Sequence, residues 1–313
     1  MITPETKVLV TGCGGMLGEA VYEHFKGICK LFPTDIDINE PWLGYLDVTD
    51  YARVREKIQQ IKPDYIIHLA ALIDMEYCER NPVEAYKVNT LGTEQIALLC
   101  NEFQIPLVYI STAGVFDDSK ERYVEYDTPN PVHVYGKSVY AAERFIQENL
   151  KHYFILRSGW LIGGGPKKDK KFVKTVVNAI LAGDSEIRVG EGRYSTPTYT
   201  PDLARTIQVV LEQGNPGIYH AVCEGGASRA DIAKQIVALL HLQDSVQVIK
   251  EERAFFKPTY FAPRPASSGL LNMKLKLQNL PVPREWRSCL AEYFQKYPWQ
   301  ALVAAQRKMP TQA

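Results

Sequence analysis

Lys7-Val8-Leu9-Val10-Thr11-Gly12-Cys13-Gly14-Gly15-Met16-Leu17-Gly18 lies near the start of the chain and decides how the rest is read. Its first five residues form a short apolar run with no alternation, as a strand buried on both faces requires. Gly12, Gly15 and Gly18 then recur at a fixed spacing. A tight strand-to-helix turn needs glycine where φ is positive. It also needs a missing side chain where backbone meets a pyrophosphate, and another where helix packs on strand. The helix that follows, with Leu17, Val21 and Phe25 on one face, offers free N–H groups and a positive dipole end to phosphates. Glycine-rich turns are common, but here the turn follows the first strand and opens a helix, the context a dinucleotide site demands. Gly12, Cys13, Gly15, Met16, Leu17 and Gly18 are therefore candidate cofactor contacts, and alkylation of Cys13 is expected to block the site.

Working outward, similar apolar runs recur at 30–34, 64–70, 106–111, 153–157 and 217–222, with helical patterns over Tyr51–Ile61, 83–103 and 138–150. Repeated strand–helix alternation predicts an α/β fold with a doubly wound parallel sheet. Asp35 closes the second strand, where a carboxylate grips the adenosine ribose and repels a 2′-phosphate. That favours NAD and leaves NADP open; the alternative is a solvated loop acid. After Arg157 the texture changes to a Gly/Pro loop at 163–166, a lysine-rich run at 167–171, a further helix over Asp231–Leu240 and a Pro- and Ser-rich stretch at 259–268. The division expected is a dinucleotide-binding domain of 1–158 plus a return segment near 197–222. A smaller, less regular substrate domain takes 159–196 and 223–297, and 298–313 is read as a C-terminal tail.

Lys+Arg and Asp+Glu both count 36, so the formal net charge is zero and gives no electrostatic case for nucleic acid or an anionic membrane. No apolar run reaches the ~18 residues of a membrane span, and the polar N-terminus does not resemble a leader. Six scattered cysteines without a C-x-x-C pair read as reduced thiols in a cytoplasm, and the six histidines show no metal-ligand spacing.

With these residues placed, the chain resembles extended short-chain dehydrogenases, and most closely the dTDP-4-dehydrorhamnose reductase family. The likeness covers roughly residues 6 to 297. Leu46-Asp47-Val48-Thr49-Asp50 resembles the segment that contacts adenine, which implies cofactor roles for Asp47 and Val48. His68-Leu69-Ala70-Ala71 is similar to the strand end beside the cofactor, implying Leu69, Ala70 and Ala71. Ile110-Ser111-Thr112-Ala113-Gly114-Val115-Phe116 resembles a Ser-Thr-Asp-Tyr-Val-Phe pattern and makes Thr112 the candidate active-site hydroxyl. Tyr135-Gly136 through Glu143 matches Tyr-Gly-x-x-Lys-x-x-x-Glu except that Val139 replaces the lysine. Tyr135 is thus the implied catalytic tyrosine, in contact with the cofactor. Trp160 matches the tryptophan near the sugar, and Arg264-Pro265 matches a further signature in which Arg264 could pair a phosphate. His133, just before Tyr135, could line the pocket. Lys167, Lys168, Lys170 and Lys171 could meet a diphosphate or form a solvated face; Trp160 could equally be core.

The resemblance implies NAD(P)H-dependent reduction of the 4-keto group of a nucleotide-linked 6-deoxy sugar, with a homodimer open. Two departures matter. Ala113-Gly114 removes polar groups beside the substrate. Val139 removes the positive charge that lowers the tyrosine pKa from about 10. Lys137 is no stand-in, because two residues along a helix is about 200° of rotation. Oxidising an alcohol needs tyrosinate, whereas reducing a ketone needs tyrosine as an acid, so the loss falls less heavily on reduction. Tyr135, Val139, Ala142, Ile146 and Leu150 share a helical face, so Val139 could simply extend a packing stripe. Two alternatives follow: a dinucleotide-binding regulatory subunit like that of methionine adenosyltransferase, and a nucleotide-sugar epimerase or dehydratase.

Overall fold

A computed structural model describes residues 1–192, 194–252 and 260–307. Thr259, which opens the Pro- and Ser-rich stretch, and 308–313 of the expected tail lie outside the described residues. Seven parallel strands form the main sheet, in the order Gly217–His220, Tyr153–Ser158, Leu107–Thr112, Tyr65–His68, Lys7–Thr11, Lys30–Asp35, Gly44–Tyr45. The chain winds outward from Lys7–Thr11 in both directions, so the fold is the expected doubly wound α/β sheet of the NAD(P)-binding Rossmann kind.

The unbroken apolar strands follow from two covered faces. Leu9, Ile66, Leu107, Tyr109 and Ile155 pack among Val54, Ile58, Ile96, Val139 and Ile146, from the helices Tyr51–Ile61, Gly92–Phe103 and Val134–Asn149. Their neighbours Val8, Val10, Ile67, Val108 and Leu156 point the other way, onto Leu17, Val21, Leu203 and Ile207 of the helices Met16–Phe25 and Thr200–Gln213. Each fully buried aliphatic side chain contributes about 1.5–3 kcal/mol.

The helical stretch expected over 83–103 is three pieces: Pro82–Tyr86, a π turn Lys87–Leu91, and Gly92–Phe103. The π turn aims Asn89 inward, where it holds the Leu72 backbone at both N–H (2.7 Å) and C=O (3.0 Å) and donates to Ser138 Oγ (3.0 Å). That ties the loop after Tyr65–His68 to the helix carrying Tyr135.

Two expectations for the C-terminal half are corrected. It is regular: the helices Phe172–Leu181 and Trp286–Lys296 join the one expected over Asp231–Leu240, observed as Arg229–Leu239, around a second core. Val173, Val176, Val177 and Ile180 make the helical stripe that the preceding Gly/Pro and lysine runs obscured. The segment read as a tail begins with a helix, Trp299–Arg307, whose Trp299 and Val303 are buried in that core. Among the described residues no helix is long and apolar enough to cross a membrane.

Candidate active site

The glycine turn is built much as its spacing implies. Gly12 has φ +70°, and a Cβ there would collide with the Ala70 backbone, so the glycine brings the turn against Leu69 and Ala70. A Cβ at Gly18 would strike the Cys13 carbonyl. Gly15 differs: a Cβ there would meet nothing closer than the Gly12 carbonyl at 3.9 Å. Gly15 is also the N-cap of Met16–Phe25, with no side chain capping its N–H groups. Bare backbone, open space and uncapped donors together fit a pyrophosphate.

Asp35 closes its strand half-buried, accepting from Gly14 N–H (2.8 Å) and Asp37 N–H (3.0 Å), so it is fixed at the turn rather than free in solvent. Asp47 turns one oxygen back onto Thr49 N–H (2.8 Å) and Oγ1 (2.9 Å), beside buried Val48. Ala71 follows Ala70 along the same strand end, half-buried. Cys13 corrects an expectation: it is fully buried, donates to the Gly18 carbonyl (3.3 Å), and burial pushes its thiol up to about 12. Such a thiol resists alkylation.

Thr112 ends the strand Leu107–Thr112 and accepts from Gly114 N–H (3.0 Å). Tyr135, in the first turn of Val134–Asn149, lies close enough for that hydroxyl to act on its phenol. Burial pushes the Tyr135 phenol up to about 12, and the Thr112 contact offsets this only in part. Val139, one turn on, is 1% exposed within the first core, on a stripe with Ala142, Ile146 and Leu150; Lys137 faces solvent.

One further turn along, Glu143 is fully buried. It takes Arg157 through two bonds (2.9 and 2.6 Å) and accepts from Ser111 Oγ. Ser111 precedes Thr112 and Arg157 precedes Ser158, so this pair fixes two adjacent strand ends beneath the site. His133 caps the Tyr135 helix: its Nδ1 accepts from Gly136 N–H (2.9 Å). Sequence reasoning missed this capping, the Asn89 clamp and the Glu143–Arg157 pair. Only Glu143 carried a signal, through its place in the Tyr-Gly motif.

Thr112, Tyr135 and His133 line a cavity of about 250 Å³. Trp160, Lys171, Arg229 and Arg264 line it as well, and among the described residues no acidic one does. The four lysines weighed together separate here. Lys171 reaches the cavity, Lys167 (2.7 Å) and Lys168 (3.2 Å) pair with Glu40, and Lys170 faces solvent. The Arg229 guanidinium lies 4.0 Å over the Trp160 ring and 4.3 Å over Phe172. Arg264 is held by Glu76 and by the Ala262 carbonyl (3.0 Å). His68, though polar, is no part of the site: Thr11 (2.6 Å) and Thr93 (3.0 Å) satisfy both ring nitrogens in the core.

A doubly wound sheet, a bare glycine turn and neighbouring Thr and Tyr hydroxyls in one cavity define an extended short-chain dehydrogenase/reductase. The chain belongs to the RmlD substrate binding domain family, whose model matches residues 6–298. It is 30% identical over 292 residues to the spore coat polysaccharide biosynthesis protein SpsK of Bacillus subtilis, covering 93% of this chain and 98% of that one. Two solved dTDP-4-dehydrorhamnose reductases superpose with a TM-score of 0.85. That of Clostridium acetobutylicum is 33% identical, and that of Bacillus anthracis, in complex with NADP, is 30% identical; each covers 93% of this chain and 99% of its own. The methionine adenosyltransferase 2 subunit beta of Xenopus tropicalis is 30% identical over 223 residues, 69% of this chain and 67% of its own.

Proposed function

We propose that the protein reduces the 4-keto group of a nucleotide-linked 6-deoxy sugar with NAD(P)H. The observation that carries this reading is the cavity: two hydroxyls and three cations line one space and, among the described residues, no carboxylate does. A ketone oxygen would meet Thr112 and Tyr135, while a diphosphate would meet Lys171, Arg229 and Arg264. The hydroxyls belong to residues 1–158 and the cations to 159–196 and 223–297, which supports a cofactor unit and a substrate unit closing on one ligand. The reductase names of two structural relatives support the same chemistry.

The Gly12–Gly18 turn would hold the pyrophosphate of the dinucleotide, Asp35 its adenosine ribose, Asp47 and Val48 the adenine side, and Leu69-Ala70-Ala71 the strand end between. When bound, that cofactor supplies the hydride. Tyr135 holds the proton: with its pKa near 12 it is a phenol at neutral pH, ready to donate to the nascent alkoxide. Thr112 keeps the phenol oriented and offers the ketone oxygen a second hydroxyl. An epimerase or dehydratase begins by oxidising the sugar and needs tyrosinate, which this site supplies almost none of. Asp35 disfavours a 2′-phosphate, so NADH is expected to serve at least as well as NADPH. The test is cofactor oxidation with dTDP-4-dehydrorhamnose by wild type and Tyr135→Phe. Equal rates in both would overturn the reading.

A second reading is favoured by one observation: Val139, where the family pattern that the sequence resembles has lysine, lies in apolar packing. A dinucleotide-binding subunit without turnover would bind NAD(P)H yet leave the ketone unreduced unless Val139→Lys restored it.

A further inference from the structure

We infer that His133 is a specificity-determining hydrogen-bond donor, presenting Nε2–H to a sugar oxygen in the space that bare Gly114 leaves open. This rests on the nucleotide-sugar reading above and adds a residue and a proton position to it. Three observations converge. First, Nδ1 of His133 accepts the Gly136 N–H at 2.9 Å, so it carries no proton, and a neutral imidazole must then carry its proton on Nε2. The helix cap fixes the tautomer. Second, the ring lines the cavity beside Thr112 and lies parallel to the Tyr135 ring, 5.9 Å away with planes 3° apart.

Third, Gly114 and His133 share one volume. A Cβ on Gly114 would sit 3.0 Å from His133 Cε1, 3.2 Å from Nε2 and 3.3 Å from Thr112 Oγ1. A side chain at 114 would press on the imidazole. Glycine there lets the ring lie close and leaves its N–H edge and the Thr112 hydroxyl turned toward the same point. The polar group lost at Gly114 is thereby replaced from the neighbouring helix start. Charge agrees with the geometry. Burial, with Arg264 and Lys137 nearby, holds the imidazole down to about 4, so it stays neutral across the physiological range. Tyr135 is the other titratable group against the ring, and Glu79 faces the helix start from the Val134 N–H (2.7 Å).

The test joins two readouts on protein carrying 15N-histidine. The wild-type His133 resonance, assigned by its loss in His133→Ser, reports the tautomer at pH 7. Titration with dTDP-rhamnose, the reduction product, then reports contact in the presence of NAD(P). Serine caps a helix as well as histidine does, so the variant keeps its fold while losing the donor. The expected result is the Nε2–H tautomer, a shift of that resonance on binding, and roughly ten-fold weaker dTDP-rhamnose binding in His133→Ser with dTDP binding unchanged, the loss of one neutral hydrogen bond. An Nδ1–H tautomer or an imidazolium at pH 7 overturns the inference while leaving the function untouched. So does equal dTDP-rhamnose affinity in both proteins. If wild type binds dTDP and NAD(P) but no dTDP-rhamnose, the substrate reading fails, and the sugar-oxygen role of His133 fails with it.

Discussion

The proposed reduction places the acid chemistry in one proton, that of Tyr135. Without a nearby ammonium, burial raises the phenol to about 12 instead of lowering it. A group that acts as an acid with so high a pKa stays loaded throughout the working range. The rate of ketone reduction should therefore be flat from neutral pH to about pH 10, since only about one part in a hundred is ionised there. A pH–rate profile under saturating substrate checks this. A decline centred near pH 7 would show that some other group lowers the phenol after all. In the reverse direction the same site should be slow at pH 7 and should speed up as pH rises. Lys137 cannot alter this, because it faces solvent on the far side of the helix. Thr112 and Tyr135, which line one cavity, were legible as candidates in the sequence through their flanks. The tautomer of His133 was not, because it depends on a backbone N–H in the next turn of helix, which no side-chain pattern reveals.

At the scale of elements, the strand–turn–helix at the N-terminus does two jobs that separate by residue. Gly12 and Gly18 are required by the protein's own backbone, whereas Gly15 has open space above it. Gly15→Ala should thus leave the melting temperature within a few degrees of wild type, since its φ of −81° suits alanine and only a poorer N-cap, worth about 0.5–1 kcal/mol, is introduced. NAD(P)H affinity should nonetheless fall ten-fold or more, measured by calorimetry or nucleotide fluorescence. Unchanged affinity would mean the pyrophosphate does not lie on this turn. The first strand and the helix Tyr51–Ile61 were readable to the residue, because continuous apolarity and helical spacing are local signals. The π turn at Lys87–Leu91 was not, since its cause is tertiary: Asn89 must reach both Leu72 and Ser138. The helix Phe172–Leu181 was overlooked for a different reason, its apolar stripe being only one face of a short segment behind a charged run.

Across the whole molecule, buried polar groups tie the cofactor sheet to the active site. Glu143 and Arg157 are both within 1% of full burial and bond through two contacts. Arg157→Met would strand a buried carboxylate with Ser111 as its remaining partner, and should cost about 3–5 kcal/mol in denaturant unfolding. Adding Glu143→Gln should recover part of that loss, and no recovery would argue against a paired charge. Three buried histidines set a pH dependence on the same scale. Burial holds His68 and His133 down to about 4 and His220 to about 3, against roughly 6.5 when unfolded. The unfolded chain then binds more protons between those values. Stability is full above pH 6.5 and declines as pH falls toward 4, each group removing roughly 2 kcal/mol by pH 5. Unfolding curves at pH 7 and pH 5 measure this, and identical stabilities would show that the imidazoles are not buried in neutral form.

The claim that joins these scales is hydride delivery to a sugar ketone held in the cavity that the two hydroxyls and the three cations line. It is tested most directly by a single turnover of dTDP-4-dehydrorhamnose with NADH bearing deuterium at nicotinamide C4, followed by NMR of the sugar. The account predicts deuterium at sugar C4 in wild type and at least a hundred-fold slower transfer in Tyr135→Phe. Bound cofactor with no deuterium on the sugar in wild type, and transfer appearing only in Val139→Lys, would contradict it and leave a binding protein on a reductase fold.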